Sequence, residues 1–319
     1  MHYEPKPRAL KLYLKGEAAF SPNDKKKIQE SQQLFKEAIE EDERFARAHG
    51  YLSYTYTVST IGRWKDVKSK KATLDEAEKH ALMAVKLGPN DYANCWDLAF
   101  CYLHQAPYQD STRRRNTQYD KAMAEFKRAR KLFNEKTANI DRKPGLLAEM
   151  GEATIYCGNP KRGVELIESA LHIPDWYRWN LALGYYFLKR HQDAIDEVGR
   201  MFRKPGDDHY AFGVQLVIAA ANVRLARQEK PGSSAAMVKM VDAKAAMTKF
   251  LHTTPGWTVK HEEARMPFRQ KPDKEYWIEA LVTAGLPHRA PPKRRRKSVR
   301  RQQQRGADSP RWNLPSRDS

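Results

Sequence analysis

Few residues in this 319-residue chain are spaced for chemistry. The segment "HEEAR" at 261–265 opens like a helical zinc pair. Arg265, however, stands where a second histidine would have to share the helix face. Adjacent acids such as Glu40–Glu41 and Asp207–Asp208 fall at expected helix ends or loops. They read as solvated charge rather than as an acid–base couple. No glycine-rich phosphate loop, G-x-S-x-G turn or H-E-x-x-H pair occurs. Cys95, Cys101 and Cys157 lack both C-x-x-C spacing and a histidine set for zinc, and read as buried thiols in a reducing compartment. The expectation is no enzyme, no metal and no cofactor.

The other chemically suggestive stretch is "KRRRKSVRR", with Lys293, Arg294, Arg295, Arg296, Lys297, Arg300 and Arg301. Residues 289–319 carry eleven Lys/Arg against two Asp, about half of the chain's +19 net charge. Such a run can contact phosphates weakly and without sequence preference, on nucleic acid or on anionic lipid. It has no interleaved aromatic platform and no reading helix, so a merely solvated extension is the plainer reading. Its Arg, Gln, Ser and Pro content cannot support a core, and residues 288–319 are expected to be disordered. The opening "MHYEPKPRAL" lacks an apolar signal core. The longest apolar run, "AFGVQLVIAAANV", is well short of the ~20 residues needed to span a bilayer. A cytoplasmic protein is expected.

The elements behind these residues are helical. "IQESQQLFKEAIEED" and "LDEAEKHALMAVKLGPN" each carry one apolar stripe opposite charge, and strand alternation is almost absent. Overlaying the segments exposes a repeat. The second helix of each unit holds a triplet spaced four and then three: Ser31/Phe35/Ala38, Ala77/Ala81/Ala84, Ala122/Phe126/Ala129, Gly163/Ile167/Ala170, Ala194/Val198/Met201 and Ala243/Met247/Phe250. Helix stops follow at Pro89, Asn134, Pro174, Pro205 and Pro255. The first helix carries a small residue three before a larger one, as in Ser53/Tyr56, Ala99/Tyr102, Gly151/Thr154 and Ala182/Tyr185. Small residues let the paired axes approach, and a pair that cannot bury its own apolar face stacks on its neighbours. Most aromatics of "WYRWNLALGYYF" therefore read as packing.

This pattern resembles the tetratricopeptide repeat (TPR). The phrases "ALKLYLKGEAAF", "LFKEAIEEDERFARAHGYLSYTY", "ALMAVKLGPNDYANCWDLAFCYL", "PDWYRWNLALGYYFLKRHQDAI" and "YWIEALVTAGLP" further resemble the TPR region of bacterial adenylate/guanylate cyclase-type regulators. The resemblance implies an all-α superhelical solenoid of about six helix pairs. It sets an N-terminal extension at 1–8, the solenoid at 9–287 with a short capping helix near 273–284, and the basic tail at 288–319. The turns at "STIGRWKDVKSK", "APYQDSTRRRNTQ" and "QEKPGSSAAMVKM" are longer than the repeat requires and are expected to form loops. No residues remain to build a cyclase sheet, so the resemblance implies no cyclase activity here.

In such solenoids the first helix of each pair lines the concave side. By register, the Ser53 unit offers Tyr51 and Tyr54, and the Ala99 unit offers Trp96, Asp97 and Phe100. The next two units offer Glu149 and Glu152, then Trp179 and Asn180. Aromatics with a few acids suit a protein or peptide partner bearing apolar anchors and some basic charge. The Lys/Asn clamp with which some TPR proteins hold a chaperone's C-terminal carboxylate is missing. The expected role is thus a non-enzymatic, regulatory scaffold. The alternatives are a component acting on a separately encoded nucleotide cyclase, or an adaptor that touches nucleic acid or membrane through its tail.

Overall fold

A computed structural model describes residues 3–22, 24–61, 70–136, 143–170, 173, 175–202 and 211–289. The described residues form helices and short turns, without strands. Helices α1 (Pro7–Ala19) and α2 (Lys25–Glu41) make the first antiparallel pair. They are followed by α3 (Ala46–Ile61) with α4 (Lys70–Leu87), and α5 (Tyr92–Gln105) with α6 (Thr112–Lys136). The later pairs are α7 (Lys143–Tyr156) with α8 (Pro160–Glu168), α9 (Asp175–Phe187) with α10 (His191–Gly199), and α11 (Ala211–Gln228) with α12 (Ser234–Thr253). Each pair packs on the next, giving the TPR-like solenoid of six pairs. Two further helices close the described chain, α13 (Val259–Arg265) and α14 (Lys271–Ala284).

Local chemistry explains the helix starts. The Asp24 carboxylate accepts from the Lys26 and Lys27 amides, and Asp91 accepts from Ala93 N–H. Asn94 then donates to the Ala84 and Gly88 carbonyls, fastening the frayed end of α4 to α5. The triplets face inward: Phe35, Ala38, Ala77, Ala81, Ala84, Ala122, Phe126, Ala129, Ile167 and Ala194 are all fully buried.

Helices α7 and α8 cross closely at Gly151 and Gly163. A Cβ on Gly151 would sit 2.7 Å from the Gly163 carbonyl oxygen, and one on Gly163 would sit 2.6 Å from the Gly151 carbonyl. Only glycine permits this approach. The first pair uses a different device, with Ser31 Oγ donating 2.8 Å to the Gly16 carbonyl across α1 and α2.

Two of the expected loops are α-helix over their second halves, after turns at Gln109–Ser111 and Glu229–Ser233. Thr112–Gln118 form the first turns of α6, and Ser234–Met240 those of α12. Neither stretch holds a proline or glycine breaker, and Ser233 supplies an N-cap by accepting from Ala236 N–H. The surplus residues therefore lengthen the second helix. Of the third expected loop, 59–70, the first three residues end α3 and the last begins α4, and 62–69 lie outside the described residues.

Helix α14 packs on α11 and α12 through Trp277, which is wholly buried and meets the Tyr186 ring at 5.2 Å, edge to face. Arg224 stacks 3.6 Å over Tyr276 and pairs with Glu279 at 2.8 Å.

Candidate functional site

The first helices of successive pairs bring the candidate residues onto one side of the stack. Tyr51 and Tyr54 of α3 lie one turn apart, their rings 6.3 Å from centre to centre. Tyr13 of α1 meets Tyr51 at 5.6 Å, and Phe100 of α5 meets Tyr54 at 5.2 Å. The result is an aromatic row crossing three repeat units. Tyr51, Tyr54 and Trp96 keep part of their surface open, whereas Phe100 is buried.

Beneath this row lie the acids. Arg47 donates to Asp97 at 3.0 Å and to the Asn94 side chain at 3.0 Å, while its guanidinium lies 5.0 Å over the Tyr51 ring. Burial raises the Asp97 carboxyl to about 6 despite the opposing pull of Arg47. Glu149, only 2% exposed, receives three neutral donors. Trp96 Nε1 donates at 2.6 Å, Tyr177 Oη at 2.8 Å and Tyr54 Oη at 3.3 Å. Burial pushes its carboxyl up to about 8, more than these donors lower it. Glu152, one turn further along α7, is pushed up to about 7 by burial, with Tyr156 and Asn180 as hydrogen-bond partners.

The Trp179 side chain abuts Gly213 of α11 so closely that any Cβ there would overlap the indole. Its Nε1 is buried without a hydrogen-bond partner, while the rest of the residue is half-buried. The Arg265 guanidinium lies 5.5 Å over the Trp179 ring.

That arginine arrives from the far end of the chain. In α13, Glu262 is wholly buried and receives four donors: Arg265 Nε at 3.0 Å, Arg265 Nη2 at 2.6 Å, Trp257 Nε1 at 3.2 Å and Trp277 Nε1 at 2.9 Å. The chain then runs along the end of α7. Phe268 packs against Tyr156 and Phe187, Arg269 N–H donates 2.9 Å to the Tyr156 carbonyl, and the Arg269 side chain pairs with Asp120 at 2.7 Å. Residues 257–270 thus lie against the Glu152–Trp179 part of the candidate face. The Tyr51–Trp96–Glu149 part holds no such strap among the described residues.

The structure therefore brings Tyr54, Trp96, Phe100 and Glu149 together, joins Tyr51 to them through its ring contact with Tyr54, and ties Asp97 to Tyr51 through Arg47. It sets Glu152, Trp179 and Asn180 beneath the C-terminal strap. The tail cations Lys293 to Arg301 lie outside the described residues, as does the Trp176 side chain. Sequence reading passed over Arg47, Tyr177 and Arg265. The i,i+3 spacing of Glu262 and Arg265 was the one available signal, present in the segment set aside as an incomplete zinc pair.

No family model and no curated protein matches this chain. Among solved structures, a thermophilic TPR protein of Thermus thermophilus superposes with a TM-score of 0.52 at 15% identity, over 65% of this chain and 98% of that one. A signal-transduction ATPase with a TPR sensor, from Pyrococcus horikoshii, reaches a TM-score of 0.39 at 15% identity, with 86% of this chain and 42% of that one covered. The Naa15/Naa10 complex bound to HypK-THB gives a TM-score of 0.34 at 13% identity, with 87% and 39% covered. At these identities the first likeness establishes the TPR-like fold, and no helix in the described residues is long and apolar enough to cross a membrane.

Proposed function

We propose that the protein is a non-enzymatic scaffold that holds a segment of a protein partner on the face formed by α3, α5 and α7. The observation that carries this reading is that Tyr54 and Trp96, both half-buried, donate to the same buried carboxyl of Glu149. A ring whose polar hydrogen is given to a carboxyl group presents a more electron-rich face, most of all once that group is ionised, and such faces attract Arg and Lys as well as apolar side chains. The partner segment accordingly carries apolar anchors and at least one basic side chain. Of the other roles the sequence raises, partnership with a cyclase rests on the resemblance of phrases alone. Anion contact by the tail falls on residues outside the described ones.

The test is a fluorescence titration of the full chain with a short peptide of arginine, leucine and phenylalanine. A cation favours ionised Glu149, so binding should strengthen as the pH rises from about 6 to about 8 and then level off. Trp96→Phe, which keeps an apolar body but loses the hydrogen bond, should weaken binding about tenfold. Glu149→Gln should remove the upper part of that rise, toward pH 8, leaving only the smaller change from Asp97 and Glu152, which burial holds near 6 and 7. Unchanged affinity in both variants, each melting normally, would overturn the reading.

A further inference from the structure

A second surface, of opposite charge, lies outside the face just described. Between α6 and the α7–α8 pair opens a cleft of about 710 Å³. Its floor is apolar: Met150 and Leu166 are buried, and Met123 is half-buried beside them. Its rim is cationic, with Lys127, Arg130 and Lys131 from α6 facing Arg162 from α8. Spacing of three and four along α6 sets the first three on one edge of that helix. No carboxylate lines the cleft among the described residues, although Arg162 also pairs with Glu165 at 2.9 Å.

The combination is selective. A row of cations alone would attract any polyanion, but an apolar floor rewards a ligand that brings an apolar side chain along with its negative charge. Free phosphate cannot fill the floor, and a bilayer surface is too flat to reach it between helices. The lining holds no aromatic side chain on which a base could stack.

We propose that this cleft docks an acidic, amphipathic segment of a protein partner. Carboxylates pair with Lys127, Arg130 and Arg162, and a leucine-sized side chain rests on Met123, Met150 and Leu166. The site is independent of the α3–α5–α7 face, which attracts the opposite charge, so either surface can fail its test without the other.

The experiment uses the full chain and a short fluorescein-labelled peptide with glutamates on one helical face and leucines on the other. Lys127→Glu with Arg130→Glu should weaken binding about tenfold or more. Lys11→Glu with Lys15→Glu on α1 makes the same change in net charge far from the cleft, and should leave binding within about twofold. Replacing the peptide's leucines by serine should also weaken binding about tenfold. Equal loss in the two charge variants would show attraction to net charge, including the tail, and overturn the proposal. So would equal binding of the serine peptide, or full competition by inorganic phosphate or phosphatidylserine vesicles. Circular dichroism and melting of each variant establish that the fold is retained.

Discussion

Trp96 and Glu149 are joined by a 2.6 Å hydrogen bond that ties α5 to α7 across two repeat units. The acceptor is a carboxyl that burial holds near 8, so near neutral pH it keeps its proton much of the time. The unfolded chain releases that proton near 4.5. The folded state therefore binds the extra proton between about pH 4.5 and about pH 8, and this group's contribution to stability falls as the pH rises through that window. Glu149→Gln, which cannot ionise, should gain stability relative to the parent as the pH rises, by roughly 4–5 kcal/mol at pH 8.5. Urea midpoints at acid and alkaline pH check this, and a difference between the two proteins that does not change with pH would refute it.

His49 and His80 titrate in the opposite sense. Their Nδ1 atoms lie 3.0 Å apart, and His49 Nε2 lies 3.1 Å from the Glu43 carbonyl. A carbonyl only accepts, so His49 carries its proton on Nε2 and accepts on Nδ1 from His80 Nδ1–H. A further proton on His49 would set two donors head to head. Burial, the neighbouring His49, Lys36 and Lys79 push His80 down to about 4, against a weaker upward pull from Glu76. The unfolded chain takes up the proton near 6.5, so this contribution is lost as the pH falls from about 6.5 to about 4. His80→Gln should make the acid loss of stability shallower, as read from urea midpoints at pH 7 and pH 4.5.

The glycine crossing gives a packing test with an internal control. Gly163→Ala forces a Cβ against the Gly151 carbonyl, so α7 and α8 must part. The expected cost is about 1–3 kcal/mol, outweighing the better helix propensity of alanine. Gly199→Ala meets nothing within 4 Å and should be neutral or stabilising. In thermal melts the Gly163→Ala midpoint should fall, while the Gly199→Ala midpoint should hold or rise.

For the buried ion pair, Glu262→Gln removes the carboxylate that neutralises the Arg265 guanidinium, whose side chain is only 6% exposed. The expected loss is about 3–5 kcal/mol. Arg265→Met added to Glu262→Gln removes the buried positive charge as well, and should recover most of that loss. Chemical denaturation of the single and double variants measures the recovery.

The all-helical, paired architecture was legible because small residues at fixed spacing and proline stops are local signals. Gly151 and Gly163 announce their crossing through the sequence register alone. The long turns misled because length was read as loop, while Arg113–Gln118 contain nothing to break a helix. The hydrogen bonding of Glu149 was not legible. It depends on Tyr54, Trp96 and Tyr177 arriving from three different helices, and so on how far each unit rotates against the last. The strap over Trp179 was hidden for a related reason. Glu262 and Arg265 share a helix face by spacing, but Trp257 and Trp277 reach them only through the fold of the chain's end.

A stack of repeats ordinarily behaves as a one-dimensional array, in which each unit senses only its neighbours and folding spreads along the row. The Arg269–Asp120 bond spans 149 positions of sequence, and Arg265 over Trp179 closes a second long loop. These ties add loop-closure entropy to the folding barrier and join units that would otherwise melt piecemeal. Stretching the superhelix at this end must also part Phe268 from Tyr156 and Phe187. The array should therefore unfold as a unit between Asp120 and Arg269, and fray from its α1–α2 end.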